Sequence, residues 1–160
     1  MSNTAAESVI GDPVIQLVTF RLKDETYGIN VMQVQEVLRV SEITPVPGSP
    51  AYVLGIINLR GNVVTVIDAR SRFGLTTAPP DEASRIVIIE SDQQVIGILV
   101  DSVAEVVELR QSQIDAPPSI GSEDSARYIQ GVASRDQDLL IVVDLNKLLS
   151  DEEWSEVTGR

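Results

Sequence analysis

Apolar and polar residues alternate along much of the chain with the two-residue period of half-buried β-strands. From Gly55 to Asp68 the pattern predicts a strand, a tight turn and a second strand, both rich in β-branched residues. We expect the turn within the stretch Asn58–Asn62, where Gly61 and Asn62 can take the positive φ that a tight hairpin needs. Arg60 then lies at the hairpin tip, either as a binding cation or as a solvated turn residue.

The chain contains an internal duplication. Gln16–Val40 aligns without gaps with Arg85–Leu109, and Gly55–Asp68 has the same spacing as Gly131–Asp144. The identical pairs of the longer alignment are Val18/Val87, Gly28/Gly97, Ile29/Ile98, Val31/Val100, Val34/Val103, Glu36/Glu105 and Val37/Val106. Two copies are too few for a solenoid, so we expect two β-rich lobes of one plan.

Each copy carries about five short strands joined by tight turns, which favours a small closed or nearly closed barrel. We therefore predict a mainly β chain with a mobile tail over 1–13, a first lobe over about 14–80 and a second over about 81–149. Residues 150–160 should form a helix that begins with a capping box of Ser150 and Glu153.

Four glycines are expected at sharp bends or at close approaches within these barrels, namely Gly28, Gly55, Gly97 and Gly131. For Gly28 and Gly97, the matching pair of the duplication, we expect either a bent strand or a neighbouring backbone. The Trp154 side chain, on the C-terminal helix, is expected simply to pack against the core.

Composition narrows the possible functions. The net charge of −12 argues against binding to a nucleic-acid backbone, and the absence of cysteine and histidine removes thiolate chemistry and the commonest general base. The N-terminal residues do not resemble a signal peptide, and no apolar run is long enough for a membrane span. We expect a cytoplasmic protein without metal or cofactor.

Charge is distributed unevenly between the two halves. Residues 14–80 are nearly balanced, whereas residues 81–149 are strongly acidic. Such asymmetry is typical of interaction proteins, although an acidic half also simply aids solubility.

One catalytic arrangement has to be considered. Asp68 and Asp144 occupy equivalent positions in the two copies, as the paired carboxylates of two-lobed aspartic proteases do. Neither aspartate is followed by the Thr/Ser-Gly turn of such enzymes, so we expect both to end their strands and cap the following turn. The sequence therefore favours a binding module without catalytic residues.

The segments YGINVMQVQEV and PVPGSPAYVLGIINLRGNVVTVIDARSRFG resemble the CheW family of bacterial chemotaxis coupling proteins, over about residues 15–150. The resemblance implies SH3-like barrels and an adaptor that joins the cytoplasmic tips of chemoreceptors to the regulatory domain of the histidine kinase CheA. It also implies contacts with further copies of the adaptor. The alternative within this class is the same module in another chemosensory or twitching-motility array.

The resemblance also implies that Glu36 and Arg60 take part in receptor coupling. We expect one receptor-facing groove around them, bordered by Val34, Glu36, Gly55, Arg60, Gly61 and Val106. For the kinase, we expect contacts from the second-lobe stretch that contains Val103, Val107 and Leu109.

Overall fold

The structure, a computed structural model, describes residues 11–91, 93–116, 128–135 and 138–158. The strands are β1 (Val14–Leu22), β2 (Glu25–Asn30), β3 (Val34–Arg39), β4 (Val53–Leu59), β5 (Asn62–Asp68), β6 (Arg85–Ser91), β7 (Gln94–Val100), β8 (Ser102–Arg110), β9 (Ile129–Arg135) and β10 (Asp138–Val143). The helices are α1 (Ala69–Arg72) and α2 (Asp151–Thr158), with 3-10 turns at Val31–Gln33, Gln111–Gln113 and Leu145–Lys147. Among the described residues, no helix has the length and apolar character that a membrane crossing requires.

The ten strands form two five-stranded sheets of identical plan. Sheet A has the order β8-β1-β2-β10-β9, and sheet B has the order β3-β6-β7-β5-β4. Neighbouring strands are antiparallel except for β10 with β2 and β5 with β7, which are parallel. This arrangement confirms the predicted mainly β fold and its two equivalent five-stranded units.

The sheets exchange strands between the two copies of the repeat. Sheet A takes its first two repeat strands from the first copy and the other three from the second copy, and sheet B does the reverse. A division at residue 80 therefore does not separate the sheets, and contiguous lobes over 14–80 and 81–149 are wrong in this respect. The strands of each sheet carry a net charge of −1. The acidic character of residues 81–149 is therefore not concentrated in the strands of one sheet.

Each sheet is nearly closed by an isolated bridge between the two sides of its open edge. After β3, the chain at Thr44 pairs with Ile56 of β4, and after β8, the chain at Asp115 pairs with Val132 of β9. We call these closures the seam of sheet B and the seam of sheet A. They produce the nearly closed, SH3-like lobes that the sequence predicted.

Two of the four predicted glycines make these seams possible. A Cβ on Gly55 would overlap the carbonyl oxygen of Thr44, and a Cβ on Gly131 would lie 2.5 Å from the carbonyl oxygen of Asp115. Gly28 and Gly97 differ, since an added Cβ would meet side chains there, such as Leu17 and Ile86. Of the two alternatives expected for this second pair, a neighbouring backbone is wrong, and a bent strand stays a prediction.

Within the part of the chain that the structure describes, three hydrophobic clusters hold the fold together. One lies inside sheet A and includes Leu17 and Leu109, and one lies inside sheet B and includes Ile57 and Ile88. The largest lies between the sheets and includes Trp154 of α2. The predicted packing of this tryptophan is therefore confirmed.

The C-terminal helix begins as the sequence predicts. The backbone N–H of Ser150 donates to Glu153, and the backbone N–H of Glu153 donates to the Ser150 hydroxyl at 3.1 Å. This reciprocal pair satisfies donors that would otherwise be unpaired at a helix N-terminus, which is the capping box.

Candidate functional site

A two-residue turn carries Arg60. The central residues of the β4–β5 hairpin are Arg60 (φ 51°) and Gly61 (φ 89°), while Asn62 already begins β5. Positive φ at both central positions matches the type I′ turn that suits a twisted hairpin. The Gly61 N–H donates to the Asn58 side chain at 2.9 Å and reinforces the turn. Gly61 thus takes the positive φ that the sequence suggested, whereas the other residue with positive φ is Arg60 and not Asn62.

The partner of Arg60 lies on the opposite side of the seam. Glu36 is on β3, one edge strand of sheet B, and Arg60 follows β4, the other edge strand. The guanidinium donates to both carboxylate oxygens of Glu36, one of these bonds measuring 3.3 Å. The ion pair therefore bridges the seam in the two-point geometry that arginine favours with a carboxylate. The Arg60 side chain is 67% exposed and the Glu36 side chain 28% exposed.

Each charge in this pair stabilises the other. The hydrogen bonds from Arg60, together with its positive charge, hold the pKa of Glu36 below its ordinary value. The hydrogen bonds to Glu36 likewise raise the pKa of Arg60. Both groups are therefore charged at neutral pH. Since Glu36 takes only two of the five guanidinium N–H groups, Arg60 retains donors for a second acceptor.

The other residues predicted to contact the receptor do not all lie at the surface around the Glu36–Arg60 pair. Val34 is half-buried on β3 and packs against the cluster between the sheets, and Gly55 is buried at the seam. Gly61 is exposed beside Arg60 in the turn. Val106 is 54% exposed but lies on β8, an edge strand of sheet A. The structure thus brings Glu36, Arg60 and Gly61 together on sheet B, and carries Val106 on the other sheet.

The residues predicted to contact the kinase are buried or half-buried. Val107 and Leu109 are buried inside sheet A, and Val103 is half-buried against the cluster between the sheets. The alternating pattern of β8 turns Val107 and Leu109 inward, so these two side chains are not available as surface contacts in this conformation. Val106, which lies between Val103 and Val107 on β8, is a large apolar side chain that is exposed.

A second ion pair, which the sequence reasoning missed, bridges the seam of sheet A. The Arg135 guanidinium lies 3.1 Å from the Glu105 carboxylate, with exposed side-chain fractions of 40% and 63%. Glu105 is the repeat equivalent of Glu36, so the duplication held the signal for half of this pair. Arg135 aligns with Leu59 rather than with Arg60, and this shift hid the other half.

The sequence reasoning also missed a groove beside Arg60. Its volume is about 940 Å³, and it runs between the loop at Val46–Pro50, the β4–β5 hairpin, the β6–β7 turn and the end of α2. The exposed Val63 of β5, next to polar Asn62, was the available signal. The approach of α2 to this strand was not readable from local pattern.

The two equivalent aspartates act as caps. Asp68 accepts a hydrogen bond from the Arg70 N–H at 3.1 Å, and Asp144 accepts one from the Asn146 N–H at 3.0 Å and another from the Gln33 side chain at 2.7 Å. Burial raises the pKa of Asp68, and Asp144 is not among the charged neighbours that affect it. A catalytic dyad would couple the two carboxylates strongly. The structure therefore supports the capping interpretation, and the described residues form no cluster suited to a metal ion.

Comparison with known proteins agrees with this architecture. The model of the CheW-like domain matches residues 16–153. The chain is 36% identical to the chemotaxis protein CheW of Treponema pallidum, over 94% of this chain and 91% of that protein. It is 28% identical to protein FrzA of Myxococcus xanthus, over 86% of each.

A solved structure extends the likeness to the fold. The scaffolding protein TtCheW of Thermoanaerobacter tengcongensis matches with a TM-score of 0.79 and 34% identity, over 87% of this chain and 96% of that one. The family match, the sequence relatives and this structure all cover nearly the whole described fold. The chain belongs to the CheW family.

Proposed function

We propose that this chain is a non-enzymatic adaptor of chemotaxis arrays, which couples the cytoplasmic tips of chemoreceptors to the regulatory domain of the histidine kinase CheA. Membership of the CheW family supports the adaptor role, and the absence of cysteine and histidine fits a chain that acts by binding. The adaptor acts on the cytoplasmic side of the membrane, at the receptor arrays.

The observation that carries the receptor contact is the Glu36–Arg60 pair at the seam of sheet B. Glu36 fixes the position of the guanidinium, and the hairpin turn lifts it from the surface with most of its area exposed. A guanidinium held in this way loses little entropy when it binds an acceptor on a partner. Acidic or amide side chains of a helical receptor tip provide such acceptors.

The kinase contact is assigned to the edge of sheet A. There the Glu105 side chain is more exposed than that of Arg135, and Val106, next to Glu105 on β8, is exposed as well. A partner built on the same two-barrel plan can place a cation-bearing seam against this one. Such a head-to-tail contact is heterologous, so it extends into rings or arrays with the kinase domain or with further copies.

The similarity to protein FrzA, 28% identity over most of the chain, supports one alternative. In this alternative, the chain is the same kind of adaptor in a different chemosensory or motility array. Binding to a panel of receptor tips separates the two assignments, because an adaptor of another array binds only the receptors of that array. An aspartic hydrolase based on Asp68 and Asp144 has no support, because both side chains act as caps.

The receptor contact is tested by Arg60→Ala, with Arg135→Ala as the matched control at the other seam. Loss of a well-paired charged hydrogen bond should weaken binding to a purified receptor-tip fragment by about tenfold or more in Arg60→Ala, with the melting temperature nearly unchanged. Arg135→Ala should bind the fragment like the wild type. Unchanged affinity in Arg60→Ala, measured by isothermal titration calorimetry, would leave Arg60 a solvated turn residue.

The kinase contact is tested by titrating the CheA regulatory domain at low and at physiological salt. If apolar burial supplies most of the affinity, binding should weaken only modestly as salt rises. Complete loss at physiological salt would show that charge dominates the contact. The absence of binding at both salt concentrations would remove this kinase from the partners.

A further inference from the structure

The turn that carries Arg60 is held by a side chain of the strand that precedes it. Asn58 lies on β4, two residues before Arg60, and its side-chain oxygen accepts the hydrogen bond from the Gly61 N–H. Alternation turns Asn58 outward, because Ile57 beside it is buried inside sheet B. Leu59 packs against the same cluster as Ile57. The Asn58 bond therefore fastens the turn to a strand end that is anchored in the core of sheet B.

Arg60 has a backbone conformation that suits other residues better. Its φ of 51° lies in the left-handed region, where the Cβ of an L-residue comes close to the following carbonyl oxygen. Among the described non-glycine residues, positive φ occurs at Lys23, Arg60 and Gln93. A two-residue turn of this kind prefers asparagine, aspartate or glycine at the position of Arg60. An unfavourable residue persists at such a position only where its surroundings hold it there.

The place of the guanidinium depends on this backbone conformation. The sign of φ sets the direction in which the Cβ of Arg60 leaves the hairpin, and from positive φ the side chain reaches across the seam to both carboxylate oxygens of Glu36. A change to negative φ would redirect the side chain and release Glu36. Asn58 and Glu36 thus hold the same residue, one through the turn backbone and the other through the guanidinium.

We propose that Asn58 is a positioning residue for receptor coupling, which holds the Arg60–Gly61 turn in its left-handed conformation and thereby sets the Arg60 guanidinium on Glu36. In this role Asn58 acts through Arg60 and not by contact with the receptor. The inference rests on the proposed function, in which Arg60 contacts the receptor tip. The hold of Asn58 on Arg60 is a property of the free protein, so it is measured without a partner.

The hold on the turn is tested by Asn58→Ala, with Asn62→Ala as the matched control. Both asparagines are exposed and flank the turn, Asn58 on β4 and Asn62 at the start of β5. The readout is the NOE between the amide and Hα protons of Arg60, which approach each other most closely at positive φ. This NOE should lose at least half of its intensity in Asn58→Ala and stay unchanged in Asn62→Ala. An unchanged NOE in Asn58→Ala, or an equal loss in both variants, would overturn the proposal.

The ion pair gives a second readout in the same two variants. The pKa of Glu36, which the hydrogen bonds from Arg60 hold below 4.5, should rise toward that value in Asn58→Ala and stay low in Asn62→Ala, as followed by carboxyl ¹³C shifts. Asn58→Asp retains a side-chain oxygen that can accept the Gly61 N–H, so it should restore the Arg60 NOE. Failure of Asn58→Asp to restore it would show that this hydrogen bond does not hold the turn.

The consequence for coupling is measured by calorimetry with the receptor-tip fragment. Asn58→Ala should weaken binding at least threefold, but less than Arg60→Ala does, and should change binding of the CheA regulatory domain less than twofold. Lost affinity with an intact NOE and an unchanged Glu36 pKa would show that Asn58 contacts the receptor itself, which overturns the positioning role. Full affinity in a variant that has lost the Arg60 NOE would overturn it as well.

Failure of the wild-type chain to bind the fragment would remove the proposed function, and with it the receptor part of this inference. The NOE and the Glu36 pKa in Asn58→Ala would still decide whether Asn58 holds Arg60.

The strain at position 60 is tested by comparing Arg60→Asn with Arg60→Ala. Both variants lack the guanidinium, so the difference between them reports the turn. Asparagine suits the first turn position, and Arg60→Asn should therefore melt about 2–4 °C above Arg60→Ala, while both bind the receptor-tip fragment at least tenfold more weakly than the wild type. Equal melting temperatures would show that positive φ at this position needs no support, and would overturn the role given to Asn58.

Discussion

The two seams close their sheets by the same device and show opposite charges to solvent. In the seam of sheet B, the carboxylate of Glu36 is sheltered and the guanidinium of Arg60 is exposed. In the seam of sheet A, Glu105 is more exposed than Arg135. The two copies therefore share the closure of the sheet but differ in which charged side chain is the more exposed one.

The two seams differ in which side chain is more exposed because the two arginines occupy hairpin positions that are one residue apart. Arg60 occupies a turn position with positive φ, whereas Arg135 aligns with Leu59 and ends strand β9. The edge strands differ as well, because Val107 and Leu109 of β8 are buried, while their equivalents Leu38 and Val40 are half-buried. The edge strand of sheet B thus buries less apolar surface than the edge strand of sheet A.

The largest expected effect comes from adding a Cβ at the seams. Gly55→Ala combines positive φ with overlap on the Thr44 carbonyl oxygen, so it should cost about 4 kcal/mol of unfolding free energy. Gly131→Ala meets the Asp115 carbonyl oxygen without the positive φ and should cost about 2 kcal/mol. Urea unfolding of both variants measures the difference. Equal losses would mean that backbone strain at Gly55 contributes nothing.

A smaller contrast should separate the edge strands. Leu109→Ala removes a buried side chain from the core of sheet A and should cost about 3 kcal/mol, whereas Val40→Ala should cost about 1 kcal/mol at its half-buried site. Val106→Ala, with an exposed side chain, should stay within about 0.5 kcal/mol. A tolerant Leu109→Ala would restore that residue as a candidate for a surface contact.

The central strands provide the next test. Gly97→Ala should cost about 1–3 kcal/mol, because the new Cβ would lie 2.8 Å from Ile86 Cγ2, a branched side chain with little room to move. Gly28→Ala should cost less than about 1 kcal/mol, because its neighbours on Leu17 and Leu140 lie at 3.3 Å or more. Thermal unfolding measures the loss of stability in each variant. A larger loss in Gly28→Ala than in Gly97→Ala would show that the side chains of sheet B adjust more easily than those of sheet A.

Local pattern was sufficient for the strands, the duplication and the helix cap, because each depends on residues close in sequence. Hydrophobic pattern predicted the strand that is β5, and spacing predicted the Ser150–Glu153 box. The exchange of strands was not readable, because alternation is the same whether β1 pairs with β8 or with β3. The same limit applied to Val107 and Leu109, since periodicity shows that two faces differ without showing which one a neighbouring sheet covers.

The Glu36–Arg60 pair was predicted only in part, for a related reason. The family resemblance selected both residues, the duplication marked Glu36 alone, and the hairpin signal placed Arg60 at a tip. Their contact spans the edges of a closed sheet, which depends on the order of all five strands. Arg72, Tyr52 and α2 remained hidden, because they meet through contacts between segments far apart in the chain.

The smallest expected effect is the pH response of the Glu36–Arg60 pair. Hydrogen bonds from Arg60 hold the pKa of Glu36 below 4.5, its ordinary value. A depressed pKa in the folded state means that the stabilisation is fully present above the ordinary value and is lost as the pH falls through the lowered one. Carboxyl ¹³C shifts should therefore give Glu36 a midpoint below 4.5, which rises toward that value in Arg60→Ala. Arg135→Ala should leave the Glu36 midpoint unchanged, because its guanidinium pairs across the other seam. A midpoint of Glu36 that does not respond to Arg60→Ala would show that the two side chains are separated in solution, and that the guanidinium is not preset for a partner.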